Sequence, residues 1–133
     1  MLFVCIGNTC RSPMGEGLMR TIAGDRFEVA SAGIDGYWDA AQPATIAVMK
    51  EKGIDISGHV CRHVRDFSGL DLEVVFTLDS SVEAVVARAL PQARETVHWE
   101  IPDPYTGTTE AYRRVRDDIE RRIKGWLGKH PPR

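Results

Sequence analysis

A cysteine and an arginine with five residues between them stand near the start of the chain, in Cys5-Ile6-Gly7-Asn8-Thr9-Cys10-Arg11-Ser12. These residue types suit phosphoryl chemistry. A thiolate is a strong nucleophile, and a guanidinium grips two oxygens as a planar fork. The segment follows an apolar run, residues 1–5, that reads as a buried strand. It precedes a helix for which Ser12 is the expected N-cap and Pro13 the first helical residue. A tight loop in that place turns successive backbone N–H groups inward, and the helix start adds positive potential, so the loop becomes a cradle for a tetrahedral dianion. Gly7 is expected to supply a positive φ. Helix N-termini and nearby cations lower a cysteine pKa from about 8.5 to about 3.5–7.5, so Cys5 is expected to work as a thiolate. Ser12 is placed to donate a hydrogen bond to its sulfur. A Cys-x5-Arg spacing alone arises by chance; the strand before it, Gly7-Asn8 within it and Ser12-Pro13 after it make it specific.

Thiolate attack on phosphorus needs an acid for the leaving group. Asp103-Pro104-Tyr105 is the candidate, because proline holds the residue before it in extended angles and so fixes the Asp103 carboxylate. Taken by itself, Asp-Pro-Tyr is a turn signal.

Strands and helices must alternate to position these groups. A second strand is expected over Phe27–Ala30, ended by Ser31-Ala32-Gly33, and a helix from Pro43 toward Gly53. The apolar run Leu72–Leu78 is a third strand. Asp79-Ser80-Ser81 caps a helix with Val82, Val85, Val86, Ala89 and Leu90 inside, and Thr96–Trp99 is a fourth, short strand. A last helix starts near Thr108-Thr109, where Tyr112, Val115, Ile119, Ile123 and Trp126 keep helical spacing. Strands apolar on both faces suit a parallel sheet covered on both sides. Gly15 and Gly17 weaken the first helix, each by about 1 kcal/mol against alanine.

The 133 residues fit one domain, expected over 1–128, with 129–133 as a tail. Seventeen basic and 19 acidic residues, net −2, argue against a nucleic-acid partner. Arg113, Arg114, Arg116, Arg121 and Arg122 alternate with Asp117, Asp118 and Glu120 and read as a solvated helix face. No apolar run is long enough for a membrane span, and the first residues carry no basic stretch followed by a long apolar one, so the expected location is the cytoplasm. Three cysteines, Cys5, Cys10 and Cys61, argue against a disulfide framework, and none has zinc-site spacing. Cys61 reads as a small buried apolar residue.

The sequence resembles the low-molecular-weight protein tyrosine phosphatases. The resemblance rests on Val4 to Pro13 and on Asp103-Pro104-Tyr105, with Ser31-Ala32-Gly33, Gly53-Ile54 and His59-Val60-Cys61-Arg62 between them in family order. It implies a three-layer α/β/α fold of the phosphotyrosine protein phosphatase I type, with a four-stranded parallel sheet. It also implies a phosphocysteine on Cys5, Arg11 stabilising the transferring group, and Asp103 as acid and then base. Ile6, Gly7, Asn8, Thr9, Cys10 and Ser12 would form the phosphate site, with Ser31 and His59 supporting the loop. Tyr37 or Trp38 would wall the substrate ring with Tyr105. The implied substrate is a phosphorylated protein or small aryl phosphate, and no metal or organic cofactor is implied. His59 also fits a plain surface role, and Tyr37 and Trp38 fit a core or loop role. Cys5 and Cys10 are close enough in sequence for a reversible disulfide.

The chain departs from the family in a short stretch between Leu78 and Asp103, in Gly15 and Gly17, and in having a single tyrosine after Pro104. Two other substrates stay open. Ser31-Ala32-Gly33-Ile34, Gly53 to Ser57, and His98-Trp99 through Pro104 resemble arsenate reductases, as does Arg113-Arg114-Val115-Arg116-Asp117. Those enzymes carry extra cysteines just after the third strand, where this chain has Leu78-Asp79-Ser80-Ser81. Thr9 resembles the protein-arginine phosphatases at a loop position where tyrosine phosphatases often carry isoleucine. A non-catalytic anion-binding module is the reading outside enzymes; the presence of both Arg11 and Asp103 speaks against it.

Overall fold

A computed structural model describes residues 1–131. Four parallel strands form one sheet in the order β2-β1-β3-β4. They are β1 (Leu2–Val4), β2 (Ala30–Ala32), β3 (Val74–Thr77) and β4 (Glu95–His98), connected by α1 (Arg11–Ala23), α2 (Pro43–Lys50), α3 (Glu83–Ala89) and α4 (Thr109–Lys129). Register is set by Leu2 opposite both Ala30 and Val75, and by Thr77 opposite His98.

Alternation along the strands divides the core in two. Phe3 and Phe76 face α1, α2 and α4, meeting Met14, Leu18, Met49, Tyr112, Ile119 and Ile123. Leu2, Val4 and Val75 face the other way, toward Val64, Phe67, Val82, Val86 and Leu90. Both faces are covered, which is why β1 and residues 74–76 of β3 are apolar. The chain runs from β1 to β2 in one direction and from β2 to β3 in the other. The crevice at the carboxyl ends of β1 and β3 is therefore a topological switch point, where open α/β sheets bind ligands.

Several elements differ from the sequence expectation. The second strand is Ala30–Ala32, not Phe27–Ala30, because β1 pairs with Ala30-Ser31-Ala32 and leaves Phe27 to pack edge-on against Trp126. The first helix begins at Arg11 after Cys10, so Ser12 and Pro13 lie inside its first turn and Ser12 is not the N-cap. Its hydroxyl serves the loop instead. Arg116 is not solvated: it is 8% exposed and donates to the Val48 carbonyl at the end of α2 and to Glu51. There it neutralises the negative end of α2. Hydrogen bonds from Arg113 and Arg116 hold the Glu51 carboxyl down to about 2. Lys129 belongs to α4 and His130 stacks on Trp126, so the expected tail does not begin at 129; residues 132–133 of that tail lie outside the described residues.

Gly15 and Gly17 have a packing reason. A Cβ on Gly15 would stand 2.5 Å from the Phe3 ring, and one on Gly17 would stand 2.9 Å from Met49 Cε. Phe3 is stacked on Phe76 with centroids 4.7 Å apart and cannot recede. Gly15→Ala is therefore expected to destabilise the protein by about 1–3 kcal/mol through overpacking, against a helix-propensity gain of about 1 kcal/mol. Urea unfolding measures it, and a stabilised variant would contradict the packing argument.

Candidate active site

The segment from Cys5 to Cys10 leaves the carboxyl end of β1 and curls into the first turn of α1. Three of its carbonyls are bound from outside the curl. The Ile6 oxygen accepts from the amides of Ile34 (2.8 Å) and Asp35 (3.3 Å), and the Thr9 oxygen accepts from that of Gln42 (3.0 Å). The Asn8 oxygen meets His59 Nε2 at 2.9 Å and the Cys61 thiol at 3.1 Å. In a trans peptide the N–H points opposite to the C=O. Outward carbonyls at 6, 8 and 9 therefore aim the amides of Gly7, Thr9 and Cys10 inward. The positive φ that this curl needs falls on Asn8 (57°), not on Gly7. Asparagine tolerates that region better than most side chains. Gly7 is required by proximity instead: a Cβ there would lie 2.9 Å from the Trp38 ring.

Asn8 is fully buried and uses its whole side chain. Its Oδ1 accepts from the Arg62 amide (2.9 Å), which fixes the orientation of the carboxamide. Its Nδ2 then donates to Ser12 Oγ (2.8 Å) and to Ser31 Oγ (2.9 Å). Ser31 Oγ donates in turn to Glu16 Oε1 at 2.6 Å. Ser12 Oγ, having accepted from Asn8, has one proton to give and two acceptors in reach, Cys5 Sγ at 2.9 Å and the Ala32 carbonyl at 3.3 Å, and the Ser12 amide approaches the same sulfur at 3.4 Å. Cys5 is 2% exposed, at the floor of the curl.

Arg11 is also 2% exposed. Its Nη1 donates to Asp79 Oδ2 (2.8 Å) and to the carbonyls of Ile101 (2.8 Å) and Leu78 (3.3 Å). Asp79 was legible in the sequence only as a helix cap. It does cap a short turn, Ser80–Val82, through Oδ1, and with Oδ2 it also anchors the arginine. Burial pushes the Asp79 carboxyl up, but hydrogen bonds from Ser81 and Arg11 outweigh this and hold it below the usual carboxylate range. The second guanidinium nitrogen, Nη2, lies 3.8 Å from Asp103 Oδ2. Asp103 Oδ1 accepts from the Tyr105 amide, so the Asp-Pro-Tyr turn presents the other carboxylate oxygen to the site; this side chain is 47% exposed.

Together these groups line a cavity of about 220 Å³, walled by Cys5, Ile6, Gly7, Thr9, Cys10, Arg11, Asp35, Trp38, Asp103 and Tyr105. A larger cleft of about 540 Å³ lies at the amino ends of β3 and β4, between Arg26, Phe27, Glu73, Glu95 and Trp126, but brings no thiol to its lining. The expected site residues divide accordingly. Asn8, Ser12, Ser31 and His59 sit behind the curl as supports and do not line the cavity. Tyr37 is 77% exposed and packs edge-on against Trp38, so it is not a cavity wall, whereas Trp38 and Tyr105 are. Asp35 on the wall and Glu16 behind Ser31 carry no motif and went unread. Cys61 is half-buried and hydrogen-bonded, not a filler of the core.

The sequence matches the model of the low molecular weight phosphotyrosine protein phosphatase family over residues 1–130. The chain belongs to that family. A curated relative named arsenate reductase, from Halalkalibacterium halodurans, is 40% identical over 128 residues, covering 92% of this chain and 90% of that protein. The tyrosine phosphatase Wzb from Escherichia coli K30 in complex with sulphate superposes with a TM-score of 0.82 at 30% identity, over 98% of this chain and 96% of that one. Vibrio vulnificus Wzb in complex with benzylphosphonate gives 0.82 at 28% identity, over 96% of each chain. Family membership carries the α/β fold and a cysteine-based phosphatase scaffold. The names of the relatives divide between phosphatase and arsenate reductase.

The other two thiols are disfavoured as nucleophiles. Burial pushes the Cys10 thiol up despite hydrogen bonding with Thr9 and Tyr112. Burial, then the negative charges of Cys5, Asp39 and Asp35, take Cys61 to about 11. At neutral pH iodoacetamide is expected to modify Cys5 ahead of both, with inorganic phosphate slowing the reaction. Cys61 is expected to react fully only as pH approaches about 11. Peptide mapping by mass spectrometry reads this, and equal labelling of all three at neutral pH would overturn the assignment.

Proposed function

We propose that the protein hydrolyses phosphate monoesters, with protein phosphotyrosine as its substrate, through a phosphocysteine on Cys5. The observation that carries this is the convergence of inward amides, a sulfur bonded to Ser12 and an arginine clamped by Asp79 on one small cavity. In the first step Cys5 Sγ attacks phosphorus while Asp103 gives a proton to the departing oxygen. Arg11 and the loop amides take up charge on the three equatorial oxygens. In the second step water attacks the phosphocysteine and Asp103 accepts its proton. The thiolate leaves into hydrogen bonds from Ser12 Oγ and N. Trp38 and Tyr105 form the sides that a phenyl ring would occupy, which supports an aryl phosphate.

Arsenate reduction is the second reading, favoured by the relative at 40% identity. Arsenate mimics phosphate and fits the same cradle. Reduction also needs thiols to take over from Cys5. The segment after β3 supplies none: Leu78 and Asp79 are occupied with Arg11, and Ser81 with Asp79. A protein-arginine substrate rests on Thr9, which lines the cavity and whose hydroxyl contacts Cys10 Sγ at 3.5 Å.

A side-by-side assay of an aryl phosphate, phosphoarginine and thiol-dependent arsenate reduction separates the three. The aryl phosphate is expected to be cleaved and Cys5→Ser to abolish cleavage; full turnover by that variant would refute the mechanism. Asp103→Asn is expected to slow cleavage by about 10²–10⁴-fold, most for esters with poor leaving groups. Equal slowing across a leaving-group series would remove Asp103 as the acid.

A further inference from the structure

We infer that Cys61 is a positioning residue for the phosphate cradle, acting as a thiol donor that holds the Asn8 carbonyl outward and thereby aims the Thr9 amide at the bound oxyanion. This rests on the reading of the cavity as a phosphate site and names a residue for which that reading has no role.

The segment 59–62 closes on Asn8 from behind with three donors. The Arg62 amide reaches Asn8 Oδ1 at 2.9 Å, while His59 Nε2 (2.9 Å) and Cys61 Sγ (3.1 Å) reach the Asn8 main-chain oxygen. A carbonyl oxygen only accepts, so His59 carries its proton on Nε2 and Cys61 its proton on sulfur. A carbonyl has two lone pairs, and two donors occupy both. That matters most at this residue, because Asn8 holds a φ of 57° that side chains rarely adopt. If the Asn8–Thr9 peptide flipped, an oxygen would turn into the cradle in place of an N–H. Two donors on one oxygen oppose that flip from outside.

The segment is itself anchored. The Cys61 amide donates to the Asp39 carbonyl (3.0 Å), and the Arg62 carbonyl accepts from Gly33 (2.8 Å). Gly33 must be glycine here, since a Cβ would come within 2.6 Å of the Ile6 oxygen and 2.9 Å of the Asn8 amide. The thiol is thus presented by a short bridge to the strand that flanks the loop, not by a free surface turn. Its high pKa keeps the proton in place across the neutral range, so the donor does not titrate away while the nucleophile works.

The test is equilibrium binding of inorganic phosphate, followed calorimetrically, with steady-state hydrolysis of an aryl phosphate alongside. Cys61→Ala is expected to weaken phosphate binding about three- to tenfold, the scale of one lost hydrogen bond on a strained peptide, with a rise in KM and a smaller fall in kcat. Cys61→Ser retains a donor on a shorter arm and is expected to recover most of the loss. Unchanged phosphate affinity in Cys61→Ala would overturn the inference, as would Cys61→Ser behaving like Cys61→Ala, which would show that sulfur acts by volume. Phosphate affinity is independent of turnover, so the inference can fail while the proposed hydrolysis stands. Wild-type protein that binds no phosphate would overturn both.

Discussion

A planar peptide cannot show its oxygen and its N–H to the same side, and the site is built on that constraint. The amides of Ile34, Asp35 and Gln42, the His59 ring and the Cys61 thiol each take an oxygen of the loop from outside. Every carbonyl held this way commits the following N–H to the interior. The cradle's polarity is thus imposed from β2, from the entry to α2 and from the 59–62 bridge. The loop has no side chain inside it that could impose this polarity alone.

The same economy governs the charged groups. Arg11 is buried and would be costly there without partners. Its Nη1 is fully used by Asp79 and two carbonyls, which leaves the other edge of the guanidinium turned toward Asp103 and the cavity. Asp79 sits at the carboxyl end of β3, beside the strand that delivers Cys5. The parallel order therefore places nucleophile and anchor at one crevice without a long connection. On the other side of the loop, donation along Glu16–Ser31–Asn8–Ser12 runs both ways from Asn8 Nδ2, through Ser31 to Glu16 and directly to Ser12. It starts at an amide with its orientation fixed and leaves the Ser12 hydroxyl proton within reach of the Cys5 sulfur and the Ala32 carbonyl.

Close approach explains residues that local propensity marks as faults. Gly15 and Gly17 let α1 lie against Phe3, Met49 and Ile56, and Gly7 lets Trp38 cover the loop. Each costs helix or backbone stability locally and is repaid by a contact far away in sequence. Propensity reads only neighbours along the chain, which is why α1 looked weak and why Gly7 was assigned the positive φ that Asn8 carries. The misplacement of β2 has the same origin. Phe27-Glu28-Val29 is the more strand-like triplet, but pairing with β1 selects Ala30-Ser31-Ala32, whose small side chains fit beside the loop. Charged sequence neighbours make Arg116 look solvated, while the carbonyl and carboxylate that bury it belong to α2 and the turn after it.

Residue order alone is enough for the chemistry's raw materials and the class of fold. Cys5, Arg11 and Ser12 are bound to one loop by chain connectivity, and apolar strands alternating with amphipathic helices allow little besides a covered parallel sheet. Which distant groups complete the loop depends on how the strands and helices pack. Asp79, Glu16, Asp35, Cys61 and the backbone amides of Ile34, Asp35, Gln42 and Arg62 reach it from elsewhere in the chain. A hydrogen bond depends on angle and distance to a few tenths of an ångström, and residue order carries no such information until the strands are in register.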